Sequence, residues 1–92
     1  MSITTKDCRE AIVEECRRRA PALRAQFTPS LTDTQWNAAL DPKNWKRESK
    51  RRGEAEEGTW EREFDCRPFD SQLRATVQST DEHIYRVMVS AE

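Results

Sequence analysis

Few side chains in this sequence have the chemistry of a catalytic site. His83 is the only histidine, and the sequence marks no serine or cysteine as its nucleophilic partner. Because it lies in or beside a predicted hairpin turn, we expect an exposed, non-catalytic histidine. The motifs GxGxxG, P-loop and HExxH do not occur. We therefore predict that the protein is not an enzyme and binds no cofactor. A small hydrolase or transferase, with His83 as its acid or base, is the competing hypothesis.

The three cysteines show neither a disulfide pattern nor a metal-binding pattern. Cys8 and Cys16 would lie about 12 Å apart along a helix, which is too far for a disulfide. No CxxC or CxxH unit occurs, so no zinc site is expected. We expect Cys8, Cys16 and Cys66 to be buried free thiols in a reducing compartment. The acids at 54–57 lack the spacing of a calcium loop and indicate a solvated acidic loop.

Charge is sorted along the middle of the chain. A basic block of six bases and the single acid Glu48 has a net charge of +5; its bases are Lys43, Lys46, Arg47, Lys50, Arg51 and Arg52. An acidic block of six acids and the single base Arg62 follows, with a net charge of −5; its acids are Glu54, Glu56, Glu57, Glu61, Glu63 and Asp65. The whole chain has 16 bases and 17 acids, so its field is dipolar and local.

Several interpretations of these blocks stay open at this point. The basic block is either a solvated face, partly neutralised by the acids beside it, or a contact for the phosphate backbone of a nucleic acid. Trp45 is then available either for stacking on a base or for the core. The acidic block could equally mimic phosphates and occupy a basic groove on a partner. A further cluster, Arg17–Arg19, is explained by the dipole at the end of a helix.

Length and composition predict one small folded domain over residues 1–92. The chain is 35% apolar and 36% charged, but its three tryptophans and three phenylalanines can form an aromatic core. We find no signal peptide and no stretch of transmembrane length, which predicts a cytosolic or nuclear protein without membrane contact; we expect it to be cytoplasmic.

In the first part of the chain, apolar residues recur with the spacing of a helix. An apolar stripe predicts a helix over residues 5–19, with Glu14–Arg18 and Glu15–Arg19 as ion pairs four residues apart, and Pro21 should end or kink it. Thr32 and Gln35 have the spacing of a capping box, which predicts a second helix start. The apolar pair that flanks this cap, Leu31 and Trp36, should form a hydrophobic staple.

In the second part of the chain, apolar residues recur with the alternation of β-strands. Residues 42–52 fit either a helix with one basic face or a strand, 45–52, paired with 59–66. Beyond them, three apolar faces are expected: Trp60, Phe64 and Cys66 with Arg62 as a misfit; Phe69, Ser71, Leu73, Ala75 and Val77; and Tyr85, Val87 and Val89. Residues 79–82 should form the last hairpin loop. We therefore predict an α+β fold, with N-terminal helices packed on a C-terminal antiparallel meander of three or four strands.

In format, the chain resembles the small phage-encoded anti-CRISPR proteins, including those that act on type I-F complexes. The features that carry the resemblance are one small domain, no catalytic motif, and segregated charge at 43–52 and 54–65. The resemblance implies stoichiometric inhibition by binding a protein–RNA complex and blocking its access to target DNA. It would place the protein in the cytoplasm of a phage host.

The leading functional hypothesis is a non-enzymatic inhibitor or regulator that binds a nucleoprotein complex. The expected partner is a protein or a protein–RNA complex, with contact to a nucleic-acid backbone and no small-molecule substrate. The alternative is an autonomous nucleic-acid-binding regulator that uses the same residues. The predicted contact residues are the bases of the basic block: Lys43, Lys46, Arg47, Lys50, Arg51 and Arg52.

Overall fold

Helices precede strands in the computed structural model, which describes residues 3–47, 59–69, 72–80 and 82–91. The helices of this part of the chain are α1 (Thr5–Arg18), α2 (Ala20–Ala25) and α3 (Asp33–Ala39). Its strands are β1 (Trp45–Arg47), β2 (Thr59–Cys66), β3 (Leu73–Thr80) and β4 (Ile84–Ala91). The strands form one antiparallel sheet in the order β1-β2-β3-β4. The predicted α+β class is confirmed.

Helix α1 begins at a reciprocal cap that the sequence analysis missed. The Asp7 N–H donates to Thr4 Oγ1 at 3.1 Å, and the Thr4 N–H donates to Asp7 Oδ2 at 2.9 Å. The second hydrogen bond favours the ionised carboxylate and lowers the pKa of Asp7. The predicted helix over residues 5–19 is confirmed, apart from its last residue. The chain turns at Arg19, and Pro21 lies in the first turn of α2, where its missing N–H has no cost.

The ion pairs on α1 differ from those predicted. Arg17 pairs with Glu14 at 3.0 Å and Arg18 with Glu15 at 2.6 Å, so the spacing is three residues rather than four. Arg19 instead donates through its guanidinium to the Val89 carbonyl of β4. The Arg17–Arg19 cluster therefore has structural roles.

Helix α3 begins at the predicted capping box. The Gln35 N–H donates to Thr32 Oγ1 at 3.2 Å, and the Thr32 N–H donates to Gln35 Oε1 at 2.9 Å. Leu31 and Trp36, the predicted staple residues, are both buried. The cap thus fixes where α3 begins.

We predict that Thr32→Ala lowers the free energy of unfolding by about 1 kcal/mol, because the Gln35 N–H loses its acceptor. Urea unfolding followed by circular dichroism measures this change. Thr34→Ala is the matched control, since Thr34 is exposed within the same helix and alanine favours helix. Equal stabilities of the two variants would contradict the role of the cap.

The sheet resolves part of the ambiguity at residues 42–52. Trp45 lies opposite Cys66 and Lys46 opposite Asp65, so the strand interpretation is confirmed for 45–47 and the helix interpretation is wrong there. Pro42–Asn44 form a 3-10 turn. The remainder of the predicted strand, 48–52, lies outside the described residues.

The helices cover one side of the sheet, with α1 packed against β4 and β3. Among the residues that the structure describes, seventeen are apolar and buried in the core between the two layers: Cys8, Ile12, Val13, Cys16, Leu23, Leu31, Trp36, Ala39, Trp45, Trp60, Phe64, Cys66, Phe69, Leu73, Ala75, Val77 and Val89. The three tryptophans are among them, so the predicted aromatic core is present. Side chains alternate along each strand, so residues such as Glu61, Glu63 and Asp65 of β2 belong to the other side of the sheet, which we call the outer face.

Strand β4 departs from its predicted alternation at a β-bulge. Gln78 pairs with Arg86 but Ser79 pairs with Ile84, so Tyr85 is the extra residue of the bulge. Tyr85 is 50% exposed, and the prediction that it shares an apolar face with Val87 and Val89 is wrong.

Two strand ends also differ from the sequence prediction. Phe69 is buried as expected, but it lies in the 3-10 turn Arg67–Phe69 rather than in a strand, because Pro68 has no N–H for a ladder. Ser71 lies outside the described residues. Ser79, predicted as loop, is a buried residue of β3. The turn comes one residue later, where the Thr80 N–H donates to the His83 carbonyl at 2.9 Å.

Candidate functional site

The structure places two of the six predicted contact side chains. Lys43, in the 3-10 turn, and Lys46, in β1, are both exposed. The backbone of Arg47 belongs to β1, opposite Phe64. Lys50, Arg51 and Arg52 lie outside the described residues. Lys43 and Lys46 therefore define the candidate site.

Local hydrogen bonds fix the backbone at Lys43. Asp41 caps the 3-10 turn, with its Oδ1 accepting from the Lys43 N–H at 3.0 Å. The Asn44 side chain donates to the Ala38 carbonyl at 2.8 Å, which ties the turn to the end of α3. Pro42 stands at the start of this turn, as its fixed φ favours. Lys43 is therefore exposed to solvent on a backbone that these hydrogen bonds hold in place.

Lys43 borders a groove of about 260 Å³ between α1 and the 3-10 turn. Its lining contains three cations and two acids: Lys6, Arg9, Glu10, Asp41 and Lys43, together with Pro42. Arg9 joins the two walls, since its Nε donates to the Trp45 carbonyl at 2.8 Å. We call this feature the α1 groove. It adds Lys6 and Arg9 to the cations around Lys43.

Sequence reasoning missed Lys6 and Arg9. Their spacing of three residues puts them on neighbouring parts of one helix face, which the sequence does show. The sequence contains no signal that this face meets the 3-10 turn 34 residues later than Arg9.

Lys46 begins a row of alternating charges on the outer face. It lies opposite Asp65, and Asp65 Oδ1 accepts from Arg74 Nε of the next strand at 2.8 Å. Within the described part of the chain, neither Lys43 nor Lys46 takes part in an ion pair. Their ammonium groups face solvent.

Two acids of β2 have side-chain partners in β3. Besides the pair between Asp65 and Arg74, Glu61 Oε1 accepts from Gln78 Nε2 at 2.6 Å. Glu63 lies opposite Thr76. The rest of the acidic block, Glu54, Glu56 and Glu57, lies outside the described residues.

Trp45 belongs to the core and is not available for stacking on a base. It is 0% exposed, and its indole Nε1 donates to the Ala39 carbonyl at 2.8 Å. The base-stacking interpretation of Trp45 is therefore wrong.

The remaining candidates for chemistry are isolated. His83 is exposed in the turn, as predicted, with Nδ1 3.2 Å from Thr80 Oγ1. In residues 3–47, 59–69, 72–80 and 82–91, no group of three His, Cys, Asp or Glu side chains could hold a metal ion. A second groove, of about 640 Å³, is lined by neutral side chains, including Phe27 and Phe69, and offers no acid or base.

The three cysteines are free, buried thiols, as predicted. Burial raises the pKa of the Cys16 thiol to about 12, and the charge of Glu15 acts in the same direction. Burial also raises the pKa of Cys66 to about 12, with smaller contributions from Cys16 and Asp41. Both thiols stay protonated at neutral pH and are poor nucleophiles.

These pKa values predict a loss of stability at alkaline pH. Below pH 9.0, the ordinary thiol pKa, Cys16 and Cys66 are protonated in both the folded and unfolded chains. Between pH 9 and 12 the unfolded chain releases these protons and the folded chain keeps them. The free energy of unfolding therefore falls by about 1.4 kcal/mol per pH unit for each thiol.

Urea unfolding between pH 8 and 10.5 measures this slope. The double variant Cys16→Ala/Cys66→Ala is the control and should be less stable at pH 8, because two cavities form. Its stability should fall less steeply with pH. Parallel slopes for the two proteins would show that the buried thiols do not control the alkaline transition.

Comparisons with family models, curated proteins and solved structures found no match to this chain. In the part of the chain that the structure describes, no helix has the length and apolar character needed to cross a membrane.

Proposed function

We propose that this protein is a non-enzymatic inhibitor or regulator that binds a nucleoprotein complex. The contact surface is cationic and includes Lys43 and Lys46. The observation that carries the proposal is that both lysines are exposed and have no acid partner among the described residues. An unpaired, exposed lysine interacts with a phosphate backbone without first breaking an internal ion pair.

The α1 groove supports the same proposal. Lys6 and Arg9 bring two further cations to the side of Lys43, so positive charge there comes from two elements of the fold. The acids of the groove, Glu10 and Asp41, limit its net charge and favour a partner that combines phosphates with hydrogen-bond donors. A protein–RNA complex has both kinds of group.

The fold gives a reason for the separation of charge. Asp65 and Glu61 bind Arg74 and Gln78 across the β2–β3 ladder, so these acids contribute to the sheet.

By its resemblance to anti-CRISPR proteins, the chain would act by covering the path of target DNA on a surveillance complex. That mode of action needs a bound surface and no catalytic group.

A pull-down from the native cell, with and without nuclease, tests the proposal. We expect the tagged protein to capture a protein that carries RNA, and to retain that protein after nuclease treatment because protein contacts also hold it. Loss of every captured protein on nuclease treatment would favour the alternative, an autonomous nucleic-acid-binding regulator. Binding to bare RNA that weakens steeply with salt would support that alternative independently.

A further inference from the structure

Arg62 is the charged residue of β2 that faces the core side of the sheet. Its neighbours on this side, Trp60 and Phe64, are buried, and Arg62 itself is half-buried. The guanidinium carbon lies 3.6 Å from the centroid of the Trp60 ring, so the planar group stacks on the indole. This stacking holds the guanidinium in one orientation.

The hydrogen bonding of this guanidinium is incomplete. Arg62 NH1 faces Cys8 Sγ at 3.7 Å, and a thiol sulfur is a weak acceptor. The Arg62 Nε atom is buried and has no hydrogen-bond partner. None of the ion pairs between described residues involves Arg62. A buried guanidinium N–H without a hydrogen-bond acceptor destabilises the fold, and a bound acceptor would remove this cost.

A second unpaired group lies beside it. Ser79 of β3 is 0% exposed, and its Oγ has no partner. Ser79 pairs with Trp60 and Val77 pairs with Arg62, so Ser79 and Arg62 are diagonal neighbours on one side of the sheet. Such positions are separated by about 7–8 Å, which an arginine side chain can span. Two unpaired polar groups therefore flank the same indole.

We propose that Arg62 and Ser79 form a binding site for a single carboxylate group. A carboxylate is planar, and its two oxygens match the paired N–H groups along one edge of a guanidinium. Lying in the guanidinium plane, it would extend the stack on Trp60. A tetrahedral phosphate would press additional oxygens against apolar neighbours. Arg62 is partly exposed although its Nε atom is buried, so part of the side chain lies next to solvent. Lys46 belongs to the outer face, so this site is separate from the one proposed above.

Acetate is the probe, and nuclear magnetic resonance of the arginine Nε–H and tryptophan indole groups is the measurement. Acetate replaces chloride at constant ionic strength and pH 7. We expect the Arg62 Nε–H signal to move to a saturable limit, together with the Trp60 indole signal. Arg86, which is exposed on β4, is the internal control and should show no saturable change. Inorganic phosphate should bind Arg62 more weakly than acetate.

Two variants test the assigned residues. Arg62→Lys keeps the charge but loses the paired donors, and should bind acetate about tenfold more weakly. Ser79→Ala removes a hydroxyl that has no partner in the fold, so it should fold normally and bind acetate about threefold more weakly. If Arg62→Lys does not fold, the wild-type titration and the acetate affinity of Ser79→Ala test the proposed site. A non-saturating Arg62 shift, a shift equal to that of Arg86, tighter binding of phosphate, or an unchanged Ser79→Ala affinity would overturn the proposal.

Discussion

Replacing Trp45 with alanine should leave the protein largely unfolded at 37 °C. The indole is 0% exposed and its Nε1 donates to the Ala39 carbonyl, so the change opens a cavity and leaves a buried acceptor unpaired. Losses of about 3–5 kcal/mol are typical for a buried tryptophan. A chain of this length has a total stability of about 5 kcal/mol. Urea unfolding followed by far-ultraviolet circular dichroism measures the loss.

The Trp45→Phe variant separates packing from hydrogen bonding. Phenylalanine keeps an aromatic ring in the core but has no N–H, so we expect a loss of about 1–2 kcal/mol. A Trp45→Ala protein within 1 kcal/mol of the wild type would contradict the buried position (the threshold is about the cost of one hydrogen bond). It would also restore base stacking as a role for Trp45.

Features set by neighbouring residues were predictable from the sequence. The capping box of Thr32 and Gln35 needs only their spacing, and the burial of alternate residues in β3 needs only the strand period. Features set by distant residues were not predictable. The bulge at Tyr85 depends on the register between β3 and β4, which a local alternation of apolar residues does not contain.

In the candidate site, too, features set by neighbouring residues were predictable from the sequence and features set by distant residues were not. The exposure of Lys43 and Lys46 follows from their charge and was predictable. The α1 groove brings Lys6 and Arg9 to Lys43 only because α1 packs against the 3-10 turn. The choice between core and stacking for Trp45 likewise depended on the Ala39 carbonyl, whose position the sequence does not give.

Reversing both exposed lysines, in Lys43→Glu/Lys46→Glu, should weaken binding to the captured complex about 100-fold. Each reversal replaces attraction to a phosphate with repulsion, and such like-charge contacts cost several kcal/mol in unfavourable cases. Both side chains are exposed, so the variant should stay folded, with a small decrease in its urea midpoint because a glutamate at position 46 would lie opposite Asp65. The neutral pair Lys43→Gln/Lys46→Gln should show a smaller loss of affinity. It also avoids placing a glutamate opposite Asp65.

The affinity of the captured complex for two charge-matched variants is the most direct test of the proposed surface. The control, Arg17→Glu/Arg86→Glu, changes the net charge equally at two exposed arginines, one near the C-terminal end of α1 and one on β4. We predict near wild-type affinity for the arginine variant and about 100-fold weaker binding for the lysine variant, with both proteins folded. Equal affinities for the two variants would show that Lys43 and Lys46 are not the contact surface.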